Sequence, residues 1–551
     1  MRKSLLLSSA LSAAVLGTPI AFADVDVTDE RTDTLRTSEQ GTGGDNIVIT
    51  TTGRVIISDD PGPGVILDTD HTLVNQGSIQ VGGADNAVGV QVSAGVTGGV
   101  TNEGRIEVSD TEGPSDEDGD GDLDGPTAFG TNRVGILIED GDTFTGDILN
   151  TGAGSIIVEG NQSAGIRSLG RIDGNLTNLG RITIIGDQSY GIDVRGGLSG
   201  DLTLGGTIQA NGIDTVAVRV GSVIDGMLFV DGTVESSALR LSFRPTPVTS
   251  RFVDDDDINR SGSAIQVGAS LLGGFYTRGL EQTETGLNSQ STIVARTTAP
   301  AVWISPEFAT GTPDNIFFGA VTLPGDEEND IEAEEFAFGF VSRGTITANG
   351  FVDGYDSTAL RIEGAIIDGT LYTTTFEGGL YNAGTMASQA YDATATTILV
   401  GNGAILPVIQ NEFTIRSAAE GIGANSRAVV ILAGAQVPTF RNNDLIIAIT
   451  SGQGSAYGII DQSNTLGLIE NTGAISTFLQ DENGQDLLAD NADSPEEVAE
   501  RTAIDVRNST IDVTFRQFLG EGEEDDEDIG VRGDIRMGSG DDTIDVSAGA
   551  I

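Results

Sequence analysis

Cysteine is absent from all 551 residues. That excludes disulfides, thiolate nucleophiles and cysteine-ligated metals, so stability must come from burial and backbone hydrogen bonding. Histidine occurs once, as His71, and lysine once, as Lys3. A lone histidine with no nucleophile elbow or zinc motif beside it gives no support to a Ser-His-Asp hydrolase. Lysine Schiff-base chemistry is excluded beyond Lys3. Aromatic residues make up 5% of the chain, with Trp303 the single tryptophan, so no sugar-stacking groove is legible. No apolar run reaches the ~20 residues that span a bilayer as a helix. Basic residues are scarce too: 28 Lys and Arg stand against 82 Asp and Glu, a net charge of −54. Such a surface repels nucleic acid and anionic lipid and attracts divalent cations.

The first 23 residues read as a Sec signal peptide. Arg2 and Lys3 are basic, residues 5–15 are apolar, and Ala21-Phe22-Ala23 is an A-x-A cleavage site. The expected mature chain starts at Asp24, carries net −56 once Arg2 and Lys3 are removed, and is exported. Residues 24–44 read as a lead-in or cap, 45–480 as the main body and 481–500 as an acidic insertion. Residues 501–551 read as the last coils, with the chain expected to continue beyond them.

What the chain has is a repeat. Asn75-Gln-Gly-Ser-Ile-Gln-Val81 returns as Asn102-Glu-Gly-Arg-Ile-Glu-Val108 and Asn178-Leu-Gly-Arg-Ile-Thr-Ile184, with a period near 27 residues. A second phrase, small-x-Gly/Ala-apolar-x-apolar, includes Ser189-Tyr-Gly-Ile-Asp-Val194 and Thr215-Val-Ala-Val-Arg-Val220. A third includes Gly174-Asn-Leu-Thr-Asn178 and Gly200-Asp-Leu-Thr-Leu204. All alternate apolar and polar with period two, and Gly, Asn and Asp punctuate them. Each phrase predicts one short strand, three to a coil. Repeats of this length bury their apolar face only by stacking on neighbours. The expected fold is all-β: a right-handed parallel β-helix, a β-solenoid of about 27 residues per coil with acidic loop insertions. Asn75, Asn102, Asn150 and Asn178, and later Asn382 and Asn471, are expected to form side-chain amide ladders along the axis. Insertions are expected at 110–128, 241–261, 305–335, 481–500 and 519–530.

The sharpest chemical motif lies in the first insertion, where Asp116, Asp118, Asp120, Asp122 and Asp124 alternate around Gly121. Hard oxygen ligands at this spacing suit Ca²⁺ and match the front half of an EF-hand-type loop, although Thr127 stands where a bidentate Glu would close it. The alternative is a solvated acidic loop. Gly538-Ser-Gly-Asp-Asp542-Thr resembles one calcium-binding nonapeptide, with Asp542 as ligand, or else is an ordinary solenoid turn. The acidic runs 254–257, 326–335 and 521–528 lack ligand spacing. Glycan chemistry with Asp/Glu pairs survives elimination, but no residue pair stands out for it.

The A-x-A signal end, the cysteine-free coils and the Gly-x-Gly-Asp-Asp turn together resemble the passenger region of bacterial autotransporters, in alphaproteobacterial style. The resemblance implies a C-terminal outer-membrane β-barrel in cis and display at the cell surface or release outside it. It also implies a non-catalytic role as an adhesin or structural surface protein. The expected partner is a surface ligand: a glycan, a host surface or a neighbouring cell. The alternatives are a β-helix polysaccharide lyase or glycosidase, and a surface-layer or filament scaffold.

Overall fold

The computed structural model describes residues 24–58, 62–111, 113–116, 124–240, 244, 253–280, 282–283, 286–287, 289–325, 332–451, 454–480, 499–520 and 529–551. Its body is a parallel β-helix with three sheet faces. The first face stacks sixteen strands, from Val25–Val27 to Thr543–Val546. The second runs from Glu30–Arg31 to Gly530–Arg532 and the third from Leu35–Arg36 to Asp534–Arg536. One coil reads Thr72–Asn75 on the first face, Ser78–Gly82 on the second and Val88–Val92 on the third. The chain then returns to the first face as Gly99–Asn102. Fifteen steps of ~4.8 Å make a rod of about 72 Å.

Registers are strict because a one-residue slip would turn every core side chain outward. On the first face Leu73 pairs with Val100, Val100 with Ile148 and Ile148 with Leu176. All four are at most 1% exposed. Burial of each such side chain is worth ~1.5–3 kcal/mol, set against the entropy of ordering the coil. Further along, the same column is filled by Phe275 and Phe340, whose rings meet edge to face at 4.7 Å.

Two local rules explain the phrases. The Asn-x-Gly phrase is not a single strand, as the sequence suggested. It is a corner: Asn75 ends Thr72–Asn75, and Ile79 and Val81 belong to Ser78–Gly82. Glycine holds that corner because corners of successive coils nearly touch. A Cβ on Gly104 would lie 2.2 Å from the carbonyl oxygen of Gly77. In the second phrase the glycine lies within the third face. A Cβ on Gly165 would sit 2.6 Å from the Gly191 carbonyl oxygen and 2.6 Å from the Ile182 side chain. Glycine is favoured there, and further along the same column small residues, Ala217, Ala264, Ala301, Ala359 and Thr397, take its place.

The asparagines ladder as expected. Asn75 Nδ2 donates to Asn102 Oδ1 at 2.8 Å, Asn102 to Asn150 at 2.8 Å and Asn150 to Asn178 at 2.7 Å. A second ladder joins Asn382, Asn411, Asn442 and Asn471 at 2.8 Å per step and ends on Gln517 at 3.1 Å. Between the ladders the position is taken by Leu204, Val230, Thr277 and Ser342. At the corner from second to third face, Asn86, Asn132, Gln162, Gln188 and Asp214 all adopt φ of 53–60°. Polar side chains tolerate this left-handed region better than β-branched ones, and a turn must be made there in every coil.

Candidate functional site

Three of the five expected insertions share a corner, whereas 305–335 runs from the third face to the first and 519–530 from the first to the second. Those at 110–128, 241–261 and 481–500 all leave the same corner, from second to third face, between Arg105–Ser109 and Val134–Ile138, Thr233–Leu239 and Ile265–Val267, and Ala474–Gln480 and Arg501–Asp505. The first two leave four coils apart, about 19 Å along the axis. They nevertheless meet. Asp124, from the first, stands with Asp254 and Asp256, from the second, so that one carboxylate oxygen from each lies within 4.8 Å of the others.

Short pairings hold this junction. Ser115 and Asp124 form an antiparallel bridge that closes the first loop on itself. Gly125 N–H donates to Asp256 Oδ2 at 3.0 Å, and Arg240 Nη1 donates to the same oxygen at 2.5 Å. Arg240 Nη2 also donates to the Gly125 carbonyl. Asp256 N–H donates to Asp254 Oδ1 at 3.3 Å. The side-chain hydrogen bond to Asp256, with that neighbour's charge, holds the Asp254 carboxyl above its usual range. The hydrogen bonds from Asp254 and then from Arg240 draw Asp256 down to about 2. Three hard carboxylates are donors of the calcium type.

Of the sequence-predicted ligands, Asp124 is in this cluster and Asp116 lies one residue past Ser115. Asp118, Asp120 and Asp122 lie outside the described residues. Asp254, Asp256 and Arg240 were missed, since the run at 254–257 has no ligand spacing of its own. The available signal was register: both insertions follow second-face strands, so both leave the same edge. Asp542 lies at the other end of the rod, where its Oδ1 accepts the Val513 N–H at 2.9 Å. That coil-to-coil staple recurs at Asp201 with Met227 N–H and Asp147 with Asn175 N–H.

Other charged clusters also hold coils together. Asp193 on the third face has no exposed surface and receives Arg167 at 3.2 Å, Arg195 at 2.7 Å and Arg219 at 2.8 Å. Burial lowers the Arg167 pKa, partly offset by Asp193. Near the last coils Glu500 accepts Arg536 at 2.7 Å, Arg507 at 3.0 Å and the Tyr457 hydroxyl at 2.7 Å, which pull its carboxyl down to about 2. Outside the first face, Phe229, Tyr276, Phe336, Phe338 and Tyr381 form a run of rings 5.3–6.1 Å apart. Sequence spacing hid this run, because Phe336 and Phe338 lie just past the insertion at 305–335, before the strand Phe340–Ser342. The chain matches no protein-family model, no curated protein and no solved structure.

Proposed function

We propose that this chain is the exported β-solenoid passenger of an autotransporter-like surface protein. Its role is non-catalytic, as an adhesin or structural element, and calcium tightens the junction of its two large acidic insertions. One observation carries the reading. Buried ionisable groups such as Asp193 hold coil to coil, while three of the five acidic insertions leave one edge of the rod. In solenoids, loops on one edge are where surface ligands are met. The Asp–Arg cluster on the third face is centred on Asp193, which has no exposed surface and so no access to a substrate. That argues against Asp193 as the carboxylate of a polysaccharide-active enzyme. The cis partner would be an outer-membrane barrel, and the trans partner a glycan, a host surface or a neighbouring cell.

The test is protease shaving and antibody labelling of intact cells that express the tagged native gene product. Cleavage after Ala23, surface labelling and loss of cell-to-surface attachment on deletion of the gene are expected. An unprocessed intracellular product, or release of reducing sugar from polysaccharide by the purified chain, would overturn the reading.

A further inference from the structure

The second face changes character along its length. In the five strands from Arg54–Ser58 to Arg181–Ile185, the three outward positions of each strand hold five ionisable residues: Arg54, Arg105, Glu107, Glu159 and Arg181. In the five strands Thr345–Gly350, Thr385–Tyr391, Thr414–Glu420, Leu445–Ser451 and Ala474–Gln480, the first three outward positions hold only one, Arg416. None of those fifteen is a carboxylate, in a chain with 82 of them. Leu445, Ile447 and Ile449 point outward and part-exposed in one strand, flanked by Phe478 and Ala474 in the next. Glu420 sits at the strand end, near Arg244 at 3.9 Å, and marks the rim.

We infer that this sparsely charged half of the second face, over residues 345–480, is a self-association surface that docks face to face with a second copy of the chain. Two features favour a copy over another occupant. The strip repeats at ~4.8 Å across five coils, and a partner whose ridges keep that pitch over the same length is another β-solenoid. Its flat area over these five strands is about 550 Å² per copy, the size of a weak, transient interface. Finally, two chains of net −54 repel strongly, so they approach most easily where carboxylates are missing. A twofold axis running along the strands, between Thr414–Glu420 and Leu445–Ser451, sets Arg416 over Ile447 of the second copy rather than over its own equivalent. Apolar patches rimmed by polar groups are where such docking occurs.

Sedimentation equilibrium of the purified chain at low and high ionic strength tests this. At ~0.01 M salt the screening length is ~30 Å and repulsion keeps the rods apart; at ~1 M it is ~3 Å. Dimers are expected at high salt. Ile447→Glu should weaken them at least tenfold with an unchanged thermal melt, and Thr177→Glu on the first face should leave them intact. A single cysteine introduced as Ile447→Cys should cross-link through a bismaleimide in the dimer, and Thr177→Cys should not. A monomer at every salt concentration overturns the inference. So do dimers indifferent to Ile447→Glu, or a strip that binds a neutral polysaccharide while the chain stays monomeric.

Discussion

The first asparagine ladder makes a graded prediction. Each amide donates to the next, so the carbonyl oxygen at the head has no donor above it: Asn75 Oδ1 is buried without a hydrogen-bond partner. Asn75→Leu therefore moves the orphaned acceptor from Asn75 to Asn102 and leaves the number unchanged. Asn102→Leu strips the donor from Asn150 Oδ1 and adds a second orphan, while Asn75 Nδ2 keeps the Arg105 carbonyl at 3.2 Å. A buried unsatisfied polar atom costs ~1–3 kcal/mol, so Asn102→Leu should be less stable than Asn75→Leu by about that amount. Shape is not the obstacle, because Leu204 occupies the same column next to Asn178. Replacing Asn75, Asn102, Asn150 and Asn178 together by Leu should therefore cost less than Asn102→Leu alone. Solenoids unfold by neighbouring units, so the assay is amide hydrogen exchange resolved by coil rather than one global melt. Equal protection at coils 99–109 and 148–159 in Asn75→Leu and Asn102→Leu would refute the ladder as the source of that stability.

Other outcomes follow from buried and paired carboxylates. Asp461 is 1% exposed, pairs with Ile431 on the preceding coil, and its Oδ2 has no partner; burial raises its pKa. The penalty is absent below the ordinary carboxylate range and grows as pH rises through the raised value. Asp461→Val should thus add ~1–2 kcal/mol at neutral pH, with the gap closing in acid, as a series of melting temperatures against pH would show. Glu500 has the opposite sign: its stabilisation is present above the usual glutamate range and is lost as pH falls through about 2. Glu500→Gln should cost ~1 kcal/mol at neutral pH, read as faster exchange in residues 501–505. Calcium, titrated calorimetrically, should bind at the Asp124–Asp254–Asp256 junction and raise the melting temperature. Asp254→Asn with Asp256→Asn should abolish that shift, and an unshifted melt at millimolar calcium would reduce the junction to an ion-paired loop contact.

The three-faced coil could be read from alternation and period because both are local. Each phrase carries its own pattern, and stacking identical phrases leaves one register that keeps Ile79, Ile106 and Ile156 on the inside. The ladder could be read only where its phrase was intact. Asn411 and Asn442 were missed because Phe413 and Asp444 stand where the phrase has glycine, although the amides sit in the same column. The hairpin of Ala365–Ile367 and Thr370–Tyr372 also escaped notice, since it is short and poor in acidic residues.

The candidate site was half legible for a different reason. A linear motif reports ligands only when one loop supplies them all, and here the described carboxylates come from two loops separated by about 130 residues. What the sequence does contain is the coil count between the insertions. Each coil returns to the same corner, so any two insertions that follow second-face strands emerge on one edge, about 4.8 Å apart for every coil between them. Four coils put the roots of these two about 19 Å apart, a gap that six or seven extended residues span. Meeting is therefore within reach of both loops. Their like charge opposes it, and Arg240 counters that by binding Asp256 and the Gly125 carbonyl at once. Asp254→Asn alone separates the two contributions: it removes one cation ligand and leaves the Arg240–Asp256 bond in place, so a calcium-induced melting shift lost in that variant belongs to the cation.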